Sequence, residues 1–275
     1  MEKAENLRFE SPSFIERLKG MLGVDFYRLF HTPLFYIFLA IAAIIPAMIL
    51  GMTNIEQPDG TMIQMYTNTW QVIAAETPLY VVNTIAEYAN MNMVFIFGGI
   101  MVSIFIGHDY KSGYVKQLFT THAKKQDYMM SKSVIGAFSM GCMCVTYLLG
   151  TVIAGLFVQA SFSVNVGSSL IAILSKIIMS IGWASLYTFL NVIFRKYFGV
   201  SIASCFFFGT GILIVGAAAI IGNSSLLNIF LYGSSVYACL SSNIITLFVC
   251  LAISLLWAII YNTLGTYILS KSDVY

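Results

Sequence analysis

Apolar runs separated by short polar breaks organise this chain from Leu34 onward. Runs at 34–52, 91–107, 134–160, 168–194, 198–221 and 243–269 approach or exceed the roughly 17–20 residues that carry a helix across a bilayer core. The pattern predicts six transmembrane helices, the second short and the fourth long. Ahead of the first run the pattern changes: between Ser13 and Phe30, Phe14, Leu18, Met21, Leu22, Phe26 and Leu29 gather on one side of a helix, and Glu16, Arg17, Lys19 and Arg28 avoid it. Ser13 followed by Glu16 has the form of a capping box, so an amphipathic helix starts there. Such a helix lies in the membrane plane and leads into the first span at Thr32 and Pro33. The stretch 222–242 is too apolar for an exposed loop and too short to cross twice. It predicts a re-entrant or interfacial hairpin broken at Gly233, Ser234 and Ser235. The expected organisation is a segment 1–33 carrying the interfacial helix and a six-helix unit over 34–275.

Composition removes the soluble alternatives. At 59% hydrophobic and 9% charged residues, the chain has too little polar surface to cover a globule, and its 275 residues leave no room for a soluble catalytic domain beside six spans. The first run lies behind about thirty residues carrying charges of both signs, unlike a short basic leader, so the amino terminus is expected to be retained. Cys142, Cys144, Cys205, Cys239 and Cys250 are scattered through apolar segments without paired spacing, and are expected to pack as small apolar residues. Lysine and arginine then orient the spans. They collect in the amino-terminal segment, in the 108–133 loop, at Arg195 and Lys196, and at the carboxyl end, all on one side. The loops 53–90, 161–167 and 222–242 hold none, and the first of these carries Glu56, Asp59, Glu76 and Glu87. By the positive-inside rule both termini are cytosolic.

The 108–133 loop holds more than a topology signal needs. Tyr114, Val115, Leu118 and Phe119 fall at i, i+1, i+4 and i+5, which predicts a short amphipathic helix over 114–122. Gly113 suits a sharp break before it, and Lys116, Lys124 and Lys125 leave a basic face. Periodicity alone leaves two uses open: lying on anionic headgroups, or inserting into a groove on a cytosolic partner.

The succession Asp109, Gly113, Leu118, the pair Lys124 and Lys125, and then Lys132 entering an apolar span resembles the loop after the second helix of type 2 ABC exporter permeases. In that family an acidic residue and a Gly-Thr pair precede a leucine-rich turn, a Pro-x-x-Arg-like segment and a lysine opening the third helix. Here Tyr114 replaces the threonine, His122 and Ala123 stand where a proline is common, and lysines replace the arginine. Cytosolic termini, six spans, the interfacial helix and the external segment before the last span extend the resemblance over nearly the whole chain. The resemblance implies a permease that pairs with a second copy or a paralogue in a bacterial cytoplasmic membrane. A separate ABC ATPase would hold ATP and Mg, and Asp109, Gly113, Tyr114, Lys116, Leu118, Phe119, Lys124 and Lys125 would couple the two. It also implies that the second and fifth helices line the translocation path and the dimer interface.

On those two helices Gly99, Ser103 and Gly107, and Ser201, Cys205 and Gly209 with Gly216 beyond, form stripes of small residues that permit close packing, within one subunit or between two. Lys176 alone interrupts the fourth span with charge. It shares a face with Ala172, Ser180 and Trp183, so it can point into a helix interface, but snorkelling to the outer headgroups is the expected solution. The absence of Asp and Glu from the spans counts against a gradient-driven carrier. His31, His108 and His122 lack metal-site spacing, and no Gly-x-x-x-x-Gly-Lys-Ser/Thr loop occurs in the sequence, so the chain is read as a transport subunit rather than an enzyme, with no cofactor or metal of its own and no nucleic acid as partner. An amphipathic or hydrophobic cargo, such as a cytolytic or antimicrobial peptide, a lipid or a drug, suits the Phe- and Met-rich spans. The rival readings are a membrane sensor or assembly protein whose basic loop binds lipid or a regulator, and a gradient-driven carrier.

Overall fold

The computed structural model describes residues 12–56, 62–64, 73, 91–120, 123–158, 166–212, 224–240 and 243–271. The described residues form helices almost throughout. In chain order these are α1 (Phe14–Phe30), α2 (Pro33–Thr53), α3 (Met93–Lys111), α4 (Tyr114–Thr120), α5 (Lys125–Val158), α6 (Val166–Ile193), α7 (Phe198–Gly209), a 3-10 turn at Ser224–Ile229, α8 (Leu231–Leu240) and α9 (Ile244–Lys271). A short antiparallel ribbon, β1 (Asn54–Glu56) with β2 (Met62–Gln64), follows α2 and pairs Ile55 with Ile63.

Five helices, α2, α3, α5, α6 and α9, are long and apolar enough to cross a membrane. They match the first, second, third, fourth and sixth apolar runs to within a few residues at most ends. α5 is the exception: it starts at Lys125 rather than at 134, because the polar stretch 125–133 continues the helix with Asp127 and Lys132 paired to α1. Among the described residues of the fifth run, α7 holds twelve. That gives about 18 Å, short of the ~30 Å core, and 213–221 with Gly216 lies outside the described residues. A sixth crossing is therefore not part of the described fold. The loop 53–90 beyond the ribbon, His122 and most of 161–167 also fall outside it.

α6 is the central post: α9, α5, α3 and α8 all pack against it, while α2 packs on α5 and α7 on α3. Small residues and inserted hydroxyls set these crossings. A Cβ on Gly150 would strike the backbone of Ala43, so the glycine is what lets α2 lie against α5. Ser254 on α9 donates to the Ile178 carbonyl at 2.8 Å and accepts from the Gly182 amide at 2.9 Å, bridging two α6 groups that pair with each other in an unbroken helix. The core that results is dominated by large side chains: Trp183, Tyr147, Tyr187, Phe95 and Met101 are fully buried.

α1 starts as its sequence predicts. Ser13 accepts from the Glu16 amide, and Glu16 reaches back to the Ser13 amide at 2.8 Å. Its inner face differs in detail from the apolar stripe. Met21, Asp25 and Leu29 are buried against α5, whereas Phe14 is exposed, as are Ile15, Val24, Tyr27 and Phe30. The segment 222–242 folds as the 3-10 turn and α8, but the helix runs unbroken through Gly233, Ser234 and Ser235. The direction changes earlier, at Phe230, because a Cβ on Gly233 would meet the Leu227 backbone and Ser234 donates to the Asn228 carbonyl. These residues pin the helix start rather than breaking it.

Candidate functional site

The lysine loop is built by one turn and one short helix. The chain leaves α3 at Lys111, and Gly113 takes a φ of +74°, a left-handed conformation that glycine adopts without a Cβ penalty. α4 then runs from Tyr114 to Thr120, so the predicted helix is present over its described part. Val115 is 1% exposed, and Leu118 and Phe119 are half-buried against Met21, Tyr128, Met129, Val192 and Leu269. Phe119 meets Tyr128 edge-on at 5.7 Å. The apolar face packs on the chain's own helices, a contact its periodicity did not single out. Burying Val115 alone is worth about 1.5–3 kcal/mol, and covalent tethering makes that surface the nearest one. Lys116, Gln117 and Thr120 face outward, and so does Lys124. Lys125 opens α5 and reaches the Ser270 carbonyl of α9 at 3.4 Å.

Beneath α4 lies a charge cluster. Lys132 of α5 is 0% exposed at its side chain, donates a hydrogen bond to Asp25 of α1 at 2.6 Å and forms an ion pair with Asp109 of α3 at 2.7 Å. Arg28 of α1 pairs with the same Asp109 and lies 3.6 Å from Asp25, while Ser131 donates to Asp25 at 2.6 Å. Two acids and two bases cancel, which is how four charges can be held away from water. Aromatic rings close the cluster: Phe105, Tyr128 and Tyr114 sit 5.0, 5.3 and 5.6 Å from the lysine Nζ, and Arg28 stands 4.5 Å over Tyr114. Burial works against the Arg28 guanidinium, but the hydrogen bond and charge of Asp109 and the charge of Asp25 outweigh it and hold its pKa above the ordinary arginine value. Burial, with Asp25 adding to it, pushes the Tyr114 phenol up. A second link, from Arg17 to the buried Asp127 at 2.8 Å, ties α1 to the start of α5.

Sequence reading left Asp25 out and assigned Arg17 and Arg28 to a solvated face; both arginines instead turn inward to buried acids. The signal was there: Asp25 stands midway between Met21 and Leu29 at i+4 spacing, an acid inside an apolar stripe. Asp109 and Tyr114, expected among the coupling residues, are parts of this cluster: Asp109 lies in the last turn of α3 beside Lys132 and Arg28, and Tyr114 opens α4 over Arg28.

The six small-residue positions converge on one seam within the chain. A Cβ on Gly99 would fall 2.8 Å from the Tyr187 ring, one on Gly107 would strike Phe198, and one on Gly209 would lie 2.9 Å from the Tyr187 hydroxyl. Asn191 of α6 joins the other three. Its amide donates to Ser103 at 3.1 Å and lies 3.7 Å from Cys205, and its oxygen accepts from Ser201. α3, α6 and α7 are locked together by that one side chain, which the sequence did not single out among polar residues of the spans.

Lys176 does not snorkel. It is 1% exposed and donates to the Ser235 carbonyl at 2.5 Å and to the Asn92 side chain, with Phe95 at 5.9 Å. α8 supplies the acceptor, and Trp183 fixes Ser235 by donating to its hydroxyl at 3.0 Å. Folding α8 back onto α6 is what caps the lysine with acceptors. Cys142, Cys144, Cys205 and Cys250 are free thiols. Among the described residues no group of three or more His, Cys, Asp or Glu gathers as metal ligands would.

Compared with known proteins, the chain matches no family model and no curated protein sequence.

Proposed function

We propose that this chain is the transmembrane permease subunit of an ATP-driven exporter of the type 2 ABC class, working in a bacterial cytoplasmic membrane. It would act as a dimer with a second permease copy or paralogue and two copies of a separate ATPase, and move an amphipathic or hydrophobic cargo. The observation that carries the reading is α4: a short helix on the lysine-rich side whose inner face is anchored and whose outer face carries Lys116, Gln117 and Thr120.

The anchoring gives the reading a mechanism. A push on a flexible loop would be absorbed by the loop, but α4 is joined to α3 by a two-residue turn and rests on α1, α5, α6 and α9 through the cluster around Val115. Asp109, Arg28, Asp25 and Lys132 bind α3, α1 and α5 to one another directly below it. Closure of the ATPase pair would move α4, α1 and the ends of α3 and α5 as one block. Asn191 would then carry α7 with α3. This chain's residues do no bond chemistry; ATP and its Mg would be held and hydrolysed on the partner.

The test is gentle purification of the tagged chain from its native membrane, with every co-purifying protein identified by mass spectrometry and ATP hydrolysis measured in the same fraction. A stoichiometric Walker-type ATPase is expected, and Lys116→Glu should weaken its retention without unfolding the permease. Absence of any ATPase across several mild detergents and nanodiscs would overturn the reading in favour of a non-transporting membrane protein.

A further inference from the structure

A large groove lies between α5, α6 and α9, starting at Gln126 at the end of the lysine loop, with a volume of about 1030 Å³. Val134, Phe138, Leu255 and Ile259 line its walls and are 39–65% exposed, so it opens sideways to whatever surrounds the helices. Its length suits one leaflet. Gln126 to Phe138 on α5 and Leu255 to Tyr267 on α9 bound it, twelve steps each or about 18 Å, against ~15 Å for half a hydrocarbon core.

The two ends differ in charge. At one, Lys125 stands next to Gln126 and reaches across to α9, and Lys271 lies 4.5 Å over the ring of Tyr267. Asp127, the acid nearest in sequence, turns away to Arg17. At the other end, beside Ile177 and Leu255, Lys176 points away to Asn92 and Ser235. Most of the polar groups midway along it bond to the chain itself: Ser133 donates to Asn262 at 2.9 Å, Asn262 donates to Ser185 at 3.1 Å and to the Ala258 carbonyl at 2.8 Å, and Ser180 and Thr263 donate to backbone carbonyls. An occupant with an anionic group at one end and few hydrogen-bonding groups along its length fits best.

We propose that this groove holds an acyl chain of an anionic phospholipid, with the phosphate at Lys125 and Lys271 and the chain running along α5 and α9 toward Leu255. The proposal stands apart from the exporter reading, and its test needs no ATPase.

The full chain is reconstituted in vesicles of equal parts phosphatidylglycerol and phosphatidylcholine, extracted mildly, and its retained lipids and oligomeric state are read by native mass spectrometry. Phosphatidylglycerol should be retained in clear excess. Each lysine near an anionic headgroup is worth roughly fivefold, so the double variant Lys125→Gln with Lys271→Gln should lose on the order of 25-fold in that preference. Val134→Trp, which fills the groove, should lose the retained lipid, whereas Leu149→Trp, an exposed position of α5 outside the groove, should keep it. Equal retention of the two lipids by the unaltered chain would overturn the proposal. So would equal retention by the two tryptophan variants, or a lipid-free dimer that Val134→Trp dissociates, which would make a second copy the occupant.

Discussion

Replacing Lys132 with methionine removes the cation that lies within 2.7 Å of both buried acids. Asp25 then keeps Ser131 and an Arg28 contact at 3.6 Å, and Asp109 keeps only Arg28. The cluster changes from neutral to a net single negative charge at side chains that are 0% exposed. Breaking a buried pair by deleting one partner costs about 3–5 kcal/mol. Because Asp25 and Arg28 belong to α1, that cost falls on the docking of α1 against α5. At 1.4 kcal/mol per tenfold, amide exchange of the inner face of α1 around Met21–Leu29 should rise by about two to three and a half powers of ten. The double variant Lys132→Met with Asp25→Asn restores neutrality and should recover part of the loss, with a coupling energy of roughly 1.5 kcal/mol or more. Hydrogen exchange with mass-spectrometric readout on both variants, in the same detergent, measures this. If α1 exchanges at the same rate in the single variant, or the two substitutions simply add, the cluster does not hold α1 and the rigid-block mechanism loses its basis.

Leu118→Asp should free α4 from Tyr128 and Leu269, seen as faster exchange over 114–120 with α5 unchanged, and, on the exporter proposal, should abolish cargo-dependent ATP hydrolysis by any ATPase that co-purifies with the chain. Gly99→Val should destabilise the chain by overpacking against Tyr187, by about 1–3 kcal/mol, whereas Asn191→Leu should cost up to ~1.7 kcal/mol; thermal unfolding reported by a thiol-reactive dye on the buried Cys144, Cys205 and Cys250 reads both. Lys176→Cys should stay unlabelled by a membrane-impermeant thiol reagent from either side, while a snorkelling position would be labelled from one. Glu16 is lowered below its ordinary 4.5 chiefly by the Ser13 backbone hydrogen bond, so its help to the α1 cap is complete above that value and disappears as pH falls through the lowered one. Exchange at the first turn of α1 should rise there, and Glu16→Gln should remove that pH dependence.

Hydropathy and charge patterning were sufficient for the elements. Five spans, the capping box at Ser13 and Glu16, the turn at Gly113 and the helix that follows were all legible, because each rests on local properties: length of an apolar run, a spacing of three, a backbone angle. What the patterning could not supply was the partner of each exceptional side chain. A buried charge is read from sequence as costly and therefore assigned to water, so Arg17, Arg28 and Lys176 were sent outward. Only tertiary structure brings Asp127, Asp109 and the Ser235 carbonyl to them, from 110, 81 and 59 residues away along the chain, and those acceptors reverse the sign of the balance. The same holds for α4. Its periodicity dictated one apolar face, but whether that face met lipid, a partner or this chain's own helices depended on where α1, α5 and α9 end in space.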